Sequence, residues 1–235
     1  MSEKVIVALD AMGGDFAPKE QVKGAVEAVN ERDDLKVILV GTETEIKKEL
    51  AQYTYDESNL EVVNASEVII NDESPTKAIR EKKDSSMVVG MKLVKNEQAD
   101  AFVSSGSTGA VLVGGQMVVG RIKGIRRTPL APLIPTKKGC SLLIDCGANV
   151  DARPEHLLQF AQIGSIYYEN IVGKKNPTVG LVNIGTEEEK GNQLVKDTLP
   201  LLKECKNINF IGYVESRDIP EGVCDVLHPV RYVRL

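Results

Sequence analysis

Short apolar runs alternate with stretches of helical spacing along almost the whole chain. Val5 to Leu9 is continuously apolar, as a strand buried on both faces requires. Lys36 to Val40, Leu60 to Val63, Ala99 to Val103, Ser141 to Ile144, Val179 to Ile184 and Ile208 to Ile211 read the same way, the last being the final clear strand. Between them, Val22, Ala25, Val26 and Val29 line one face of a helix that Pro18 opens. Thr42, with Glu45 three residues on, starts a charged helix through about Tyr53. Ser74-Pro75 starts a helix carrying Lys77, Arg80, Lys82 and Lys83, and Ser85-Ser86 starts another in which Met87 and Met91, four apart, serve as core packing. Pro154 opens a long helix to about Val172, and Leu194, Val195, Leu199, Leu201 and Leu202 mark the next. The helix after Gly109 contains Gly114, Gly115 and Gly120, each costing about 1 kcal/mol against Ala unless close packing requires it. Pro129, Pro132 and Pro135 then break regular structure, making this stretch the candidate domain crossover or interface.

Alternation of this kind predicts an α/β fold of three layers around an open, mostly parallel sheet. Ligands in such sheets bind beyond the carboxyl ends of the strands. Four polar, glycine-containing loops sit there, after Leu9, Val103, Ile144 and Ile184, and are expected on one rim.

Composition narrows the field. The 235 residues carry a formal net charge of −5, which argues against a general nucleic-acid binder. Cys140, Cys146, Cys205 and Cys224 form no C-x-x-C pair, and with only two histidines there is no zinc pattern, so no metal site is assigned. Cys140 and Cys146 share strand parity, as buried small hydrophobes would. No signal peptide or apolar stretch of transmembrane length is seen, and a reduced, cytoplasmic protein is expected.

The loops carry the candidate chemistry. Ser104-Ser105-Gly106-Ser107-Thr108-Gly109 joins a strand to a helix and offers hydroxyls, backbone N–H groups and a helix start, the parts of a phosphate cradle. A capped βα turn is the ordinary alternative. The pair Gly13-Gly14 allows positive φ or close approach of a ligand. Asp10, Asp15, Asp145 and Asp151 suit either magnesium or hydrogen bonding to loop amides. Lys190, between two glycine turns, is either functional or paired with the three glutamates before it. A dinucleotide fingerprint, a P-loop and a nucleophile elbow are all absent, and His156 and His228 give a Ser-His-Asp triad little support. Two basic stretches, Lys77 to Lys83 and Arg121 to Arg127, are solvated faces unless an acidic partner docks there.

Several longer motifs point further. Ala8-Leu9-Asp10-Ala11-Met12-Gly13-Gly14-Asp15-Phe16-Ala17-Pro18, Ser105-Gly106-Ser107-Thr108-Gly109-Ala110, Val119-Gly120-Arg121-Ile122-Lys123-Gly124-Ile125, Asp145-Cys146-Gly147-Ala148-Asn149-Val150-Asp151, Pro154-Glu155-His156-Leu157 and Asn183-Ile184-Gly185-Thr186-Glu187 together resemble the PlsX-type phosphate acyltransferases of bacterial phospholipid synthesis. The resemblance implies a fold like that of the isocitrate and isopropylmalate dehydrogenases. It implies transfer of a fatty acyl group from acyl-[acyl-carrier-protein] to inorganic phosphate, with no cofactor, by a homodimer at the membrane periphery that feeds a glycerol-3-phosphate acyltransferase. Ser105, Gly106, Ser107, Thr108 and Gly109 would hold phosphate, Lys190 would be catalytic, and Asp10, Gly13, Gly14, Asp145, Asn149, His156 and Thr186 would belong to the site. Arg121, Lys123, Arg126 and Arg127 would dock the acidic carrier protein. Ser107 stands where the family more often has Asn. Residues 1–235 read as a single domain of this family, incomplete at the C-terminus: after Asp225 the family runs into a Thr-Asp-Gly-Phe-Thr-Gly-Asn segment, whereas 226–235 diverge. A short-chain phosphotransacetylase using acyl-coenzyme A, a dehydrogenase and an inactive binding module are the rival expectations.

Overall fold

A computed structural model describes residues 4–149 and 151–229; Met1 to Glu3, Val150 of the Asp145 motif and 230–235 of the divergent tail lie outside the described residues. The chain forms two compact units that meet in sequence between Ile122 and Lys123, just before the predicted proline crossover.

The first unit is built on a four-stranded parallel sheet in the order β3-β2-β1-β4. Its strands are β1 (Val5–Asp10), β2 (Leu35–Gly41), β3 (Leu60–Asn64) and β4 (Ala101–Val103), with helices α1 (Lys19–Glu31), α2 (Glu43–Leu50), α3 (Pro75–Glu81), α4 (Ser86–Lys95) and α5 (Thr108–Gly114). Val22, Ala25, Val26 and Val29 of α1 pack with Val37, Leu39, Ile46 and Leu50, as their spacing predicts. Met87 and Met91 are core residues beside Ile79 and Ala110. The helix starting at Thr42 ends at Leu50 rather than Tyr53, because the Gln52 and Tyr53 amides bond back three residues, to Glu49 O and Leu50 O, instead of four.

Among the three glycines of the helix after Gly109, only Gly114 is explained by packing: a side chain there would run into Met91 and Ile79. Gly115 opens one π turn, Gly115–Val119, and Gly120 ends it at φ +106°, a conformation that favours glycine.

The second unit carries a five-stranded sheet in the order β5-β6-β9-β7-β8. Its elements are β5 (Leu133–Thr136), β6 (Gly139–Leu143), α6 (Pro154–Ile171), β7 (Thr178–Asn183), α7 (Gln193–Glu204), β8 (Asn209–Glu215) and β9 (Val226–Pro229). Two strands depart from the sequence reading. β5 lies within the proline-rich stretch, where its edge position and antiparallel pairing with β6 tolerate Pro135. β9 falls in the divergent tail and yet pairs in parallel with both β6 and β7. Its entry is anchored by Asp225, whose carboxylate accepts from Thr178 N, Thr178 Oγ1 and Lys174 Nζ at 2.7–2.8 Å. Phe160, Leu157, Leu142, Leu181 and Val226 form the core beneath α6, each such burial worth about 1.5–3 kcal/mol.

The expected parity of Cys140 and Cys146 fails at Cys146, which is exposed in the loop after β6; the buried thiol is Cys224. Desolvation pushes the Cys224 thiol up to about 11, so it stays protonated and inert. Among the described residues no helix is long and apolar enough to cross a membrane.

Candidate functional site

The four polar loops fall two to each sheet, because the chain builds two sheets where one was expected. In the first unit, Val7, Ala8 and Leu9 pair with Ala101, Phe102 and Val103, so the register brings Asp10 and Ser104 side by side at the carboxyl ends of neighbouring strands. Ser104 Oγ donates to Asp10 Oδ2 at 2.7 Å, and Met12 N donates to Asp10 Oδ1 at 3.1 Å. Gly106 N in turn donates to Ser104 Oγ at 3.0 Å. Asp10 is almost fully buried beneath both loops.

Gly13 and Gly14 serve this contact. A Cβ on Gly13 would lie 2.5 Å from Asp10 Oδ2 and 2.9 Å from Gly106 N, and Gly14 has φ +106°. Gly13 O accepts from Ser105 Oγ at 2.9 Å and from Gln21 Nε2 at 2.5 Å, and Gln21 Nε2 also reaches Ser105 Oγ at 3.0 Å. The Asp10 loop and the Ser105 loop are therefore interlocked. This interlock already takes up the Gly106 N–H and the Ser105 hydroxyl hydrogen.

Ser107 caps α5, its Oγ accepting from Ala110 N at 3.4 Å, which leaves its own hydrogen to donate outward. The N–H groups of the first helical turn have no intrahelical acceptor. Ser107, Thr108 and Gly109 thus carry what this loop can offer an anion, and Thr108 is exposed. Gly109 also lets α5 approach Pro75.

In the second unit Asp145 organises its loop. Oδ1 accepts from Leu130 N at 2.7 Å and Ala148 N at 3.1 Å, and Oδ2 accepts from Asn149 N at 2.7 Å and Asn149 Nδ2 at 3.0 Å. Asn149 Nδ2 also reaches Thr128 O at 3.1 Å. Asp145 acts by holding loop amides, the second of the two roles left open for the aspartates, and Asn149 joins it. Among the described residues no cluster of three or more His, Cys, Asp or Glu side chains is arranged to hold a metal ion.

His156 sits in the first turn of α6, where its Nδ1 accepts from Arg153 N at 3.2 Å and completes a capping box. Burial, then the positive charge of Arg127, holds its imidazole below the ordinary range, partly offset by Glu155. His228 is fully buried on β9, stacked on Phe160 with ring centroids 5.9 Å apart. Neither of its ring nitrogens has a hydrogen-bond partner among the described residues. Among the described residues neither histidine is hydrogen-bonded to a serine, so no triad is formed there.

Lys190 follows β7. Its Nζ lies 2.7 Å from Glu187 Oε1, both side chains being about half exposed. This bond raises the lysine pKa and lowers that of the glutamate. The paired alternative raised by the sequence is thus realised. Gly185 forms the floor beneath the pair, since a Cβ there would lie 2.6 Å from Lys190 Cδ. Buried Asn183, at the end of β7, donates to Gly185 O at 3.2 Å and Lys190 O at 3.1 Å. Thr186 is exposed in the same loop.

Arg121 belongs to the first unit and Lys123, Arg126 and Arg127 to the second; all four are exposed. Gln159 of α6 holds the stretch from Gly124 to Arg126, accepting from Arg126 N at 3.1 Å and donating to Gly124 O at 3.0 Å. The other basic stretch is largely committed internally. Lys82 Nζ binds Glu73 and Val68 O, each at 2.6 Å, and Lys83 Nζ reaches Ile79 O at 3.2 Å. Gln21 is not singled out in the sequence; Ser104, the residue after β4, and Asn183, the last residue of β7, stand inside the quoted motifs without a role of their own, though each is a polar residue where an apolar strand meets a glycine loop.

Known proteins share both sequence and fold with this chain. The family described as "Fatty acid synthesis protein" matches residues 5–228. A phosphate acyltransferase from Clostridium tetani is 53% identical over 221 residues, covering 94% of this chain and 66% of that protein. One from Clostridium novyi is 50% identical with the same coverage, so the chain spans just under two thirds of the length of these relatives. Among solved structures, the EutD phosphotransacetylase from Staphylococcus aureus superposes with a TM-score of 0.67 at 18% identity, over 96% of this chain and 77% of that one. A 4-hydroxythreonine-4-phosphate dehydrogenase from Burkholderia phymatum gives a TM-score of 0.54 at 13% identity, over 97% and 80%. At these identities the likeness is one of fold: mostly parallel α/β sheets of a dehydrogenase-like kind.

Proposed function

The chain belongs to the fatty acid synthesis protein family, that of the PlsX-type phosphate acyltransferases, and on that premise we propose that it transfers a fatty acyl group from acyl-[acyl-carrier-protein] to inorganic phosphate. The observation that carries this reading is the Ser105–Gly109 loop, interlocked with Gly13 and opening α5 at the carboxyl edge of a parallel sheet. Phosphate is held there by Ser107, Thr108 and Gly109, with Ser105 and Gly106 shaping the turn. A phosphate oxygen attacks the thioester carbonyl carbon, the C–O bond forms as the C–S bond breaks, and the carrier leaves as its thiolate and takes up a proton. Lys190 stabilises the charge developing on the carbonyl oxygen, and positioning supplies much of the rest. Arg121, Lys123, Arg126 and Arg127 draw in the acidic carrier protein. The acyl-phosphate then passes to a glycerol-3-phosphate acyltransferase at the membrane, where the chain works as a peripheral homodimer.

The test is an assay of the purified chain with phosphate and either long-chain acyl-carrier protein or acetyl-coenzyme A, trapping acyl-phosphate as the hydroxamate. Product from the carrier-protein thioester is the expected result. Product from acetyl-coenzyme A alone would favour the phosphotransacetylase reading, for which the Staphylococcus aureus likeness is the motive. Carrier-protein binding without product from either donor would favour the binding module.

A further inference from the structure

We infer that Ser104 is a positioning residue of the phosphate loop, acting as a relay between the buried Asp10 carboxylate and the Gly106 amide; this rests on the reading of residues 105–109 as the phosphate site. The relay crosses 94 residues of sequence, and the β1–β4 register makes it direct. A serine hydroxyl has one hydrogen and two lone pairs. Asp10 Oδ2, at 2.7 Å, takes the hydrogen and so fixes the rotation of the hydroxyl. A lone pair then faces Gly106 N at 3.0 Å and holds the plane of that peptide group. The next peptide groups along are the ones presented at the start of α5.

Asp10 is well placed to set this direction because its other oxygen is held by Met12 N at 3.1 Å. Gly13 closes over the relay: a Cβ there would lie 2.5 Å from Asp10 Oδ2, 2.9 Å from Gly106 N and 3.0 Å from Ser104 Oγ. The three polar groups are thereby packed against backbone. Without the hydroxyl, Gly106 N–H loses its acceptor and becomes free to turn outward. A loop preordered by such contacts binds its ligand without first losing conformational freedom.

The test uses the full 235-residue chain with inorganic phosphate as the probe, titrated by phosphorus NMR, alongside amide hydrogen exchange at Gly106 and the thermal midpoint. Ser104→Ala is expected to weaken phosphate binding about tenfold, the scale of one lost hydrogen bond, and to speed exchange at Gly106. Its thermal midpoint should stay within about 3 °C of the parent. Ser104→Thr, which keeps the hydroxyl, should restore affinity and exchange. Asp10→Ala should weaken phosphate to a similar extent, and the double variant should be no worse than either single change. Unchanged affinity in Ser104→Ala overturns the relay while leaving the phosphate loop standing. Lost affinity that tracks a large fall in midpoint, and that Thr fails to rescue, reduces Ser104 to an ordinary structural contact and overturns it as well. If the parent chain itself fails to bind phosphate at millimolar concentration, the loop reading falls and the relay with it.

Discussion

Lys190 Nζ lies 2.7 Å from Glu187 Oε1, within a loop whose two ends are held by the single amide of Asn183. The side chain that would meet a developing negative charge is therefore parked on a carboxylate three residues away. Both partners are half exposed, so water competes for each and the pair opens readily. Because Glu187 raises the lysine pKa, the ammonium stays charged beyond its ordinary range. Lys190→Ala should lower kcat by about 10²–10³-fold, as loss of an oxyanion donor does. Glu187→Gln should retain turnover but move the alkaline fall of the pH–rate profile to lower pH. Wild-type kcat in Lys190→Ala would remove the residue from the mechanism.

His228 makes the second unit sensitive to acid. Burial lowers its pKa to about 4, against 6.5 for the exposed ring. Between those values the unfolded chain binds a proton that the folded chain refuses, so stability falls as pH drops from 6.5 toward 4 by roughly 1.4 kcal/mol per unit. Above pH 6.5 the group contributes no pH dependence. His228→Leu keeps the bulk against Phe160 and removes two unpartnered nitrogens. It should raise stability at pH 7 by about 1–3 kcal/mol and flatten the acid limb, read from urea midpoints across pH 4–8.

Two glycine substitutions should move stability in opposite directions. Gly13→Ala drives a methyl into Asp10 and the Gly106 backbone and should cost about 1–3 kcal/mol. Gly24 lies exposed within α1, and a methyl there would meet nothing within 4 Å. Gly24→Ala should therefore stabilise by about 0.5–1 kcal/mol through helix propensity. Denaturation curves of the two variants decide the matter, and a neutral Gly13→Ala would show that the two loops are not interlocked.

Asp145→Ala should be costly because one carboxylate serves three backbone N–H groups and the Asn149 amide. We expect a loss of about 2–4 kcal/mol. Faster hydrogen exchange at Leu130, Ala148 and Asn149 should accompany it, and exchange left unaltered would contradict the bonding pattern.

Arg127→Glu combined with Lys123→Glu should raise KM for acyl-carrier protein and weaken its dependence on ionic strength, leaving KM for phosphate unchanged. Equal effects on both substrates would count against a docking role for this segment.

Much of the fold was legible because its strands are apolar on both faces. Val5 to Leu9 and Val179 to Asn183 announce themselves without any knowledge of their neighbours. β9 did not, since Val226-Leu227-His228-Pro229 is short, contains a proline, and becomes a strand only because β6 and β7 leave a slot for it. β5 was hidden by Pro135, which is tolerated only at an edge. At the candidate site, residue types were readable but partners were not. Asp10 and Ser104 are 94 positions apart, and nothing in their spacing reports that β1 and β4 lie side by side. The same limit explains His156, whose place as a cap depends on a local turn, and Cys146, whose strand parity ended where β6 gave way to a loop.

The position of β9 also sets an order of events during synthesis. The first unit has all its strands once the chain has emerged past Ile122, and can fold while translation continues. The second cannot close its sheet then, because the strand between β6 and β7 is the last of the described strands to be made. At 5–20 residues per second, the hundred or so residues between these points take roughly 5–20 s. Once β5 to β8 have emerged, past Glu215, β6 and β7 each present an unpaired edge beside a finished neighbour until β9 follows. A nascent chain in this state is a natural client for a chaperone that shields strand edges, and slowing translation before Val226 should lengthen its exposure.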